Sequence, residues 1–468
     1  MPAISSTAFI TFGILYFTMP NVYMISLNAL IKLPAPHPFT DWEWIPSSVR
    51  CWAEGVDVYV NNTCFKSGND IAFNYSPLWL RLSFLGSMEN WFSVTAISFC
   101  SLFFLSPAIY DQPRDSRTQE IAVLTIISSG TILGVERGNA DILLFLIVVA
   151  ALLAIQLKSM TRFIGYGLLI VAGLLKFYPF IGLIVAARDR SIVVVCVAIA
   201  SISALAVLAI TYQAEITVMA KNLPGFSIYT LQFGARELPY GLGAGLVRLL
   251  TNSVLLNAET AEAYGRLVTG VLQILLPLGS VLGAVVTCRA FKLPSHVAQL
   301  NSLTRDSLVV GVALIVGCFF VSQSVIYRGI FFLLVLPGLA TLRVSHKHLA
   351  RLIELLEIGI VFVLWIPFIE SMLFLLGATE RQFYQANPTT AFPPPDMGLI
   401  LWLADELVWW SLITAFLAIL GAFLVRSDIV RIVVGRHFRP VVESRRSAAN
   451  TKNLPGVTRT GSPDAGRI

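Results

Sequence analysis

Between two apolar stretches the chain reads Glu136-Arg137-Gly138-Asn139-Ala140-Asp141, four ionisable or amide side chains in six residues. Gly138 permits a tight turn there. So short a connection keeps those groups close to any bilayer that the flanking stretches cross. Lys176 lies in Lys176-Phe177-Tyr178-Pro179, with apolar residues on either side, and Tyr327-Arg328 is placed likewise. A lysine at membrane depth costs about 2.5–3.5 kcal/mol on insertion scales unless it is paired. An arginine presents a two-pronged fork of donors and a lysine a point charge. Lys176, Arg137 and Arg328 together could therefore hold a phosphate or pyrophosphate headgroup. Internal ion pairs with Glu136 or Asp141 would answer the same cost, and spacing alone does not separate the two. Asn139 and Asp141 could bind sugar hydroxyls or orient Lys176. Tyr75 and Tyr178 could stack on a sugar or anchor at the membrane interface. There is no Walker loop, GxSxG, HExxH or Rossmann fingerprint and no Cys/His metal spacing. The expectation is a site with neither cofactor nor metal.

The elements that must carry these residues follow from composition. Of 468 residues 56% are hydrophobic and 13% charged, and the mean hydropathy is +0.76. Soluble chains carry about 25% charged residues. That deficit excludes a soluble enzyme, a disordered scaffold and a nucleic-acid-binding domain. Apolar runs lie near 7–31, 91–110, 120–135, 141–157, 163–175, 178–187, 191–212, 265–288, 307–326, 329–342, 352–376 and 398–425. A run of about 20 residues spans a hydrocarbon core. The expected fold is all-α and polytopic, with about twelve transmembrane or re-entrant helices over 1–425. A long first outer loop covers about 32–90, and a basic cytoplasmic tail covers 426–468. The 163–187 pair pivots on Lys176 to Pro179, and Pro77 to Leu82 reads as a short interfacial helix.

Lys and Arg bias orients the spans. With both termini inside, the inner segments hold 21 of the 33 basic and 10 of the 27 acidic residues. The inner side then carries +11 and the outer side −5, and the candidate residues collect outside. The first outer loop contributes Asp41, Glu43, Arg50, Glu54, Asp57 and Asp70, and it holds Cys51 and Cys64. A Cys51–Cys64 disulfide would stabilise that loop by about 3 kcal/mol and suits an oxidising compartment.

Three segments together resemble bacterial glycosyltransferase family 87, the former DUF2029 group. The first is Gly55-Val56-Asp57-Val58-Tyr59 followed by Phe73-Asn74-Tyr75-Ser76-Pro77-Leu78-Trp79-Leu80. The second is Glu136-Arg137-Gly138-Asn139-Ala140-Asp141-Ile142-Leu143 followed by Gly173-Leu174-Leu175-Lys176-Phe177-Tyr178-Pro179. The third is Tyr327-Arg328 with Leu336-Pro337-Gly338. The resemblance covers about residues 40–345, and the second segment is its most specific part. It implies a GT-C fold and transfer of a sugar, mannose by family analogy, from a polyprenyl-phosphate sugar to a lipid or glycan acceptor. The reaction would occur at the outer face of a bacterial plasma membrane. It implies an acid of the first outer loop as general base: Asp57 by its place in the motif, with Asp41 and Asp70 as rivals. Arg137, Lys176 and Arg328 would then bind the donor phosphate. Glu136, Asn139, Asp141, Tyr75, Tyr178 and Tyr327 would line the sugar and acceptor sites. Two other classes fit the composition, a secondary transporter or lipid flippase and an envelope-polysaccharide ligase or polymerase. Against the transporter, the sequence has no internal repeat and its charges gather at one face.

Overall fold

The computed structural model describes residues 2–31, 37–65, 72–109, 115–157, 160–222, 231–252, 257–321, 324–377, 397–428 and 430. Asp70 and nearly all of the basic tail lie outside the described residues. A chain with this little polarity must satisfy its backbone internally, and helices do that within one segment. Helices dominate, and among the described residues a single two-stranded pairing joins them.

The first apolar run is broken at Met19–Pro20 into α1 (Pro2–Thr18) and α2 (Pro20–Ile31), because proline lacks the amide that would continue the ladder. The first loop folds into α3 (Thr40–Ala53) and the short α4 (Pro77–Leu80). Ser76 caps α4 by accepting from the Leu78 amide. Trp79 is buried, and its indole Nε1 donates to the Leu175 carbonyl at 3.1 Å. The expected interfacial helix is thus pinned to the core. Cys51 and Cys64 are disulfide-bonded, with Cα atoms 5.9 Å apart.

Next come α5 (Phe92–Leu105), α6 (Ser116–Ile126), α7 (Ser129–Glu136), α8 (Ala140–Gln156) and α9 (Thr161–Lys176). Helices α6 and α7 meet at a 44° bend. Ser128 at the bend accepts from the Thr131 amide and so caps α7. A 3-10 helix, Tyr178–Arg188, follows α9. The rest of the chain forms α10 (Ser191–Thr211), α11 (Gln213–Lys221), α12 (Glu237–Asn252), α13 (Ala258–Ala290), α14 (Leu293–Val297), α15 (Ser302–Val321), α16 (Phe332–Ser345), α17 (Lys347–Leu375) and α18 (Met397–Leu424). The strands β1 (Gln232–Phe233) and β2 (Ser324–Val325) pair antiparallel just before a 3-10 turn, Ile326–Phe331.

Among the described residues seven helices are long and apolar enough to cross a membrane, or eight if the bent pair is one span. The chain is an all-α, multi-pass integral membrane protein. Several of the expected twelve runs fold as elements shorter than a full crossing. Helix α8 has 17 residues, α9 has 16, and the 3-10 helix after it has 11, against the roughly 20 that a span requires. Helices α15 and α16 are largely buried, whereas α10 and α13 expose apolar faces such as Ile202, Ile210, Leu282 and Val286. Those faces suit contact with lipid. At one end of the bundle α7 and α9 finish while α8 and the Ile326–Ser345 span begin. At the other end, buried Asp306 pairs with Arg188 and Arg305 and accepts from Gln156 at 2.8 Å. There too, Arg343 joins Asp115 and Glu357.

Candidate active site at the end of the bundle

The first of these ends is built around one carboxylate. Asp141 lies in the first turn of α8, and its side chain is wholly buried. Asn139 caps that helix by accepting from the Asp141 amide at 3.0 Å. Gly138 precedes it at φ +58°, where an L side chain is disfavoured. A Cβ at Gly138 would stand 3.1 Å from Cβ of Phe39. The turn 136–139 therefore reverses the chain sharply enough to aim Arg137, Asn139 and Asp141 at one region.

Two cations converge on Asp141. Lys176 Nζ is 2.6 Å from Oδ1, and Arg328 Nε is 3.3 Å from Oδ2. Helix α9 stops at Lys176 because Phe177 adopts φ +58°. The reversal lets Tyr178, two residues on, donate its hydroxyl to the same Oδ1 at 2.9 Å. Arg328 is fixed by the strand pairing, since its Nη1 donates to Ser324 Oγ at 2.6 Å and the Ser324 hydroxyl donates to the Cys318 carbonyl at 3.0 Å. The expected tyrosines surround these cations. Lys176 Nζ lies 5.1 Å from the Tyr75 ring centroid and 5.9 Å from that of Tyr327. The Arg328 guanidinium lies 5.1 Å from the Tyr178 ring. Each is within cation–π range.

A second carboxylate stands beside the first. Asn139 Nδ2 donates to Asp41 Oδ2 at 2.7 Å, Arg137 Nη1 donates to Asp41 Oδ1 at 3.3 Å, and Lys176 Nζ donates to Asn139 Oδ1 at 3.3 Å. The backbone docks the start of α3 here. The Phe39 amide donates to the Glu136 carbonyl at 2.6 Å and the Asp41 amide to the Arg137 carbonyl at 3.0 Å. Asp41 is only partly buried, with 16% of its side chain exposed, as is Arg328, whereas 11% of Lys176 is exposed. The constellation thus runs from a sealed floor at Asp141 to a more open rim at Asp41 and Arg137.

At Asp141 the charges do not cancel. Lys176 and Arg328 share one carboxylate, and Arg137 and Asp41 form a second pair. Lys176 is thus internally paired, while two cations share the one Asp141 carboxylate. Dipoles and cations fixed in a water-poor site are effective where negative charge develops.

Asp57 lies apart from this network. Its side chain is exposed and accepts from the Tyr59 amide at 3.0 Å, closing its own turn. The Glu136 side chain lines a separate cavity with Phe39 and Glu43. Arg137, Asn139, Asp141, Lys176, Arg328, Tyr75, Tyr178 and Tyr327 do come together. Sequence spacing gave no preference to Asp41 over its neighbours, and it passed over Ser324. The one legible signal for Ser324 is its place four residues before Arg328. Among the described residues no group of three or more His, Cys, Asp or Glu side chains is arranged to hold a metal ion. No protein-family model matches the chain, and neither does any curated protein or solved structure.

Proposed function

We propose that this protein is a membrane glycosyltransferase. It moves a hexose, mannose favoured, from a polyprenyl-phosphate sugar to a lipid or glycan acceptor. The observation that carries the reading is the surplus cation at Asp141, with a partly exposed carboxylate, Asp41, one hydrogen-bonded residue away. The donor phosphate sits against Lys176 and Arg328, with Arg137 at the rim. An acceptor hydroxyl attacks the anomeric carbon, the bond from that carbon to the phosphate oxygen breaks, and the configuration inverts. The leaving phosphate takes the bonding electrons, and the cations stabilise its charge. The hydroxyl proton passes to a carboxylate within hydrogen-bond reach.

Asp41 serves as that base better than Asp57. It belongs to the same bonded network as the phosphate-binding cations, whereas Asp57 is engaged in its own turn. Asp141 is unsuited, because two cations and a tyrosine hydroxyl hold it as a buried anion. The basic helix ends gather opposite the site, which supports a cytoplasmic placement for that end and an extracytoplasmic one for the site. About twelve passes, with both termini inside a bacterial plasma membrane, complete the reading.

The test supplies a radiolabelled polyprenyl-phosphate hexose to membranes holding wild type or single variants. Asp41→Asn and Lys176→Met should each lower transfer by about 100-fold or more, while Asp57→Asn stays within a few-fold of wild type. Loss with Asp57→Asn alone would return the base to Asp57. Uptake of a solute or lipid by proteoliposomes, with no transfer from any such donor, would replace the enzyme with a transporter.

A further inference from the structure

Behind the site lies a cavity of about 400 Å³ that the proposed chemistry does not use. Helices α1, α2, α5 and α7 form its walls. Its mouth opens between Ile10, Phe17 and Ile97, which are 59%, 82% and 43% exposed, and its inner wall is buried Leu27, Ile132 and Val135. At membrane depth such a mouth faces acyl chains rather than water. The inner end is polar. Glu136 and Glu43 are each 6% exposed there, and His37 Nε2 lies 3.1 Å from Glu43 Oε2.

The Phe39–Asp41 segment, bonded to the Glu136 and Arg137 carbonyls, lies between this polar end and the candidate site. Phe39 lines the cavity while Asp41, two residues on, pairs with Arg137. Glu136 and Arg137 are consecutive and serve opposite sides of that partition. The two compartments have opposite character. The Asp141 side has a surplus cation and suits phosphate. The cavity end has two carboxyls and one imidazole, which suit hydroxyl groups and repel an anion.

We infer that this cavity binds a lipid with a neutral, hydroxyl-bearing head, its chain lying between α1, α5 and α7 and its head against Glu43, His37 and Glu136. If the glycosyl-transfer reading holds, on which only this role depends, that lipid is the acceptor, and it meets the donor across Phe39. The polarity of the head end assigns the occupant: a phosphate-headed lipid of the same chain length is disfavoured.

The experiment uses the full-length protein in nanodiscs and two probes with the same diazirine-bearing alkyl chain, one an alkyl glucoside and one an alkyl phosphate. The glucoside should label residues around Ile10, Ile97 and Ile132 about tenfold more than the phosphate does, a ratio worth about 1.4 kcal/mol. Ile97→Trp, at the exposed mouth, should remove most of that labelling without disturbing the core. Glu43→Gln combined with Glu136→Gln should shrink the preference over phosphate. Equal or stronger labelling by the alkyl phosphate overturns the inference, as does glucoside label lying elsewhere or unchanged by Ile97→Trp. Labelling needs no turnover, so the two readings fail separately. Groove labelling with no transfer from any polyprenyl-phosphate hexose would sink the enzyme and leave the lipid site. Lost labelling with Asp41-dependent transfer would do the reverse.

Discussion

At the scale of single residues, the weight of the site rests on Asp141. Among the described residues it is the only carboxylate bonded to Lys176 and Arg328, and removing one partner of a buried ion pair leaves an uncompensated charge. Asp141→Asn should therefore destabilise the protein by about 3–5 kcal/mol, read as a lower unfolding temperature in detergent. Adding Lys176→Met should recover part of that loss, since one of the stranded cations is then gone. A double variant no more stable than Asp141→Asn would contradict the pairing. Asp41 and Asp57 show what residue type alone can say. Both are first-loop acids on a long polar segment, and nothing in their identity separates them. The difference is made by backbone hydrogen bonds from Phe39 and Asp41 to the 136–137 turn.

At the scale of elements, three chain reversals set the geometry: Gly138 before α8, Phe177 after α9, and the strand pair before Tyr327. The first is the most testable. Gly138→Ala must hold an L side chain at φ +58° and bring a Cβ within 3.2 Å of Cα of Phe39. The conformational cost alone is about 1–2 kcal/mol. Because Phe39 carries Asp41 with it, transfer should fall along with stability. Unchanged thermal unfolding and activity would mean that the turn does not position the site. The helical character of the apolar runs was readable from their length and composition. The short 3-10 segment Tyr178–Arg188 was legible only as a run too brief to span, because proline and a positive φ at Phe177 act locally.

At the scale of the whole molecule, one bundle carries a buried charge cluster at each end. At the far end, burial raises the Asp115 carboxyl, but hydrogen bonds from Thr118 and the nearby Arg343 guanidinium outweigh it and hold the group below its ordinary value. A carboxyl so depressed adds stability that is fully present above its unfolded pKa. That contribution is lost as pH falls through the folded value. Unfolding temperatures should thus drop below pH about 4, and Asp115→Asn should show a shallower acid limb than wild type. At the site end, the Cys51–Cys64 bridge closes a 13-residue separation and should contribute about 3 kcal/mol. Reductant should lower the unfolding temperature and expose two thiols. In intact cells, an impermeant maleimide should reach those thiols only after reduction. Labelling of both without reductant would argue against the bridge and against an oxidising side.

The sequence by itself determined the class of molecule and which side chains were costly. Hydropathy and charge follow from residue type, and a lone Lys176 or Arg328 among apolar residues is expensive wherever the chain places it. The sequence also determined that Glu136 to Asp141 form a turn, because Gly138 and Asn139 act over a few residues. Only the tertiary structure decided that Lys176 and Arg328 share a single carboxylate and that Asp41 joins them. It also decided that Glu136 turns away into an apolar cavity. Those contacts link residues separated by 35 to 187 positions, and no local preference encodes a pairing at that distance. Packing does so, by bringing the ends of α7, α8, α9 and α3 to one place.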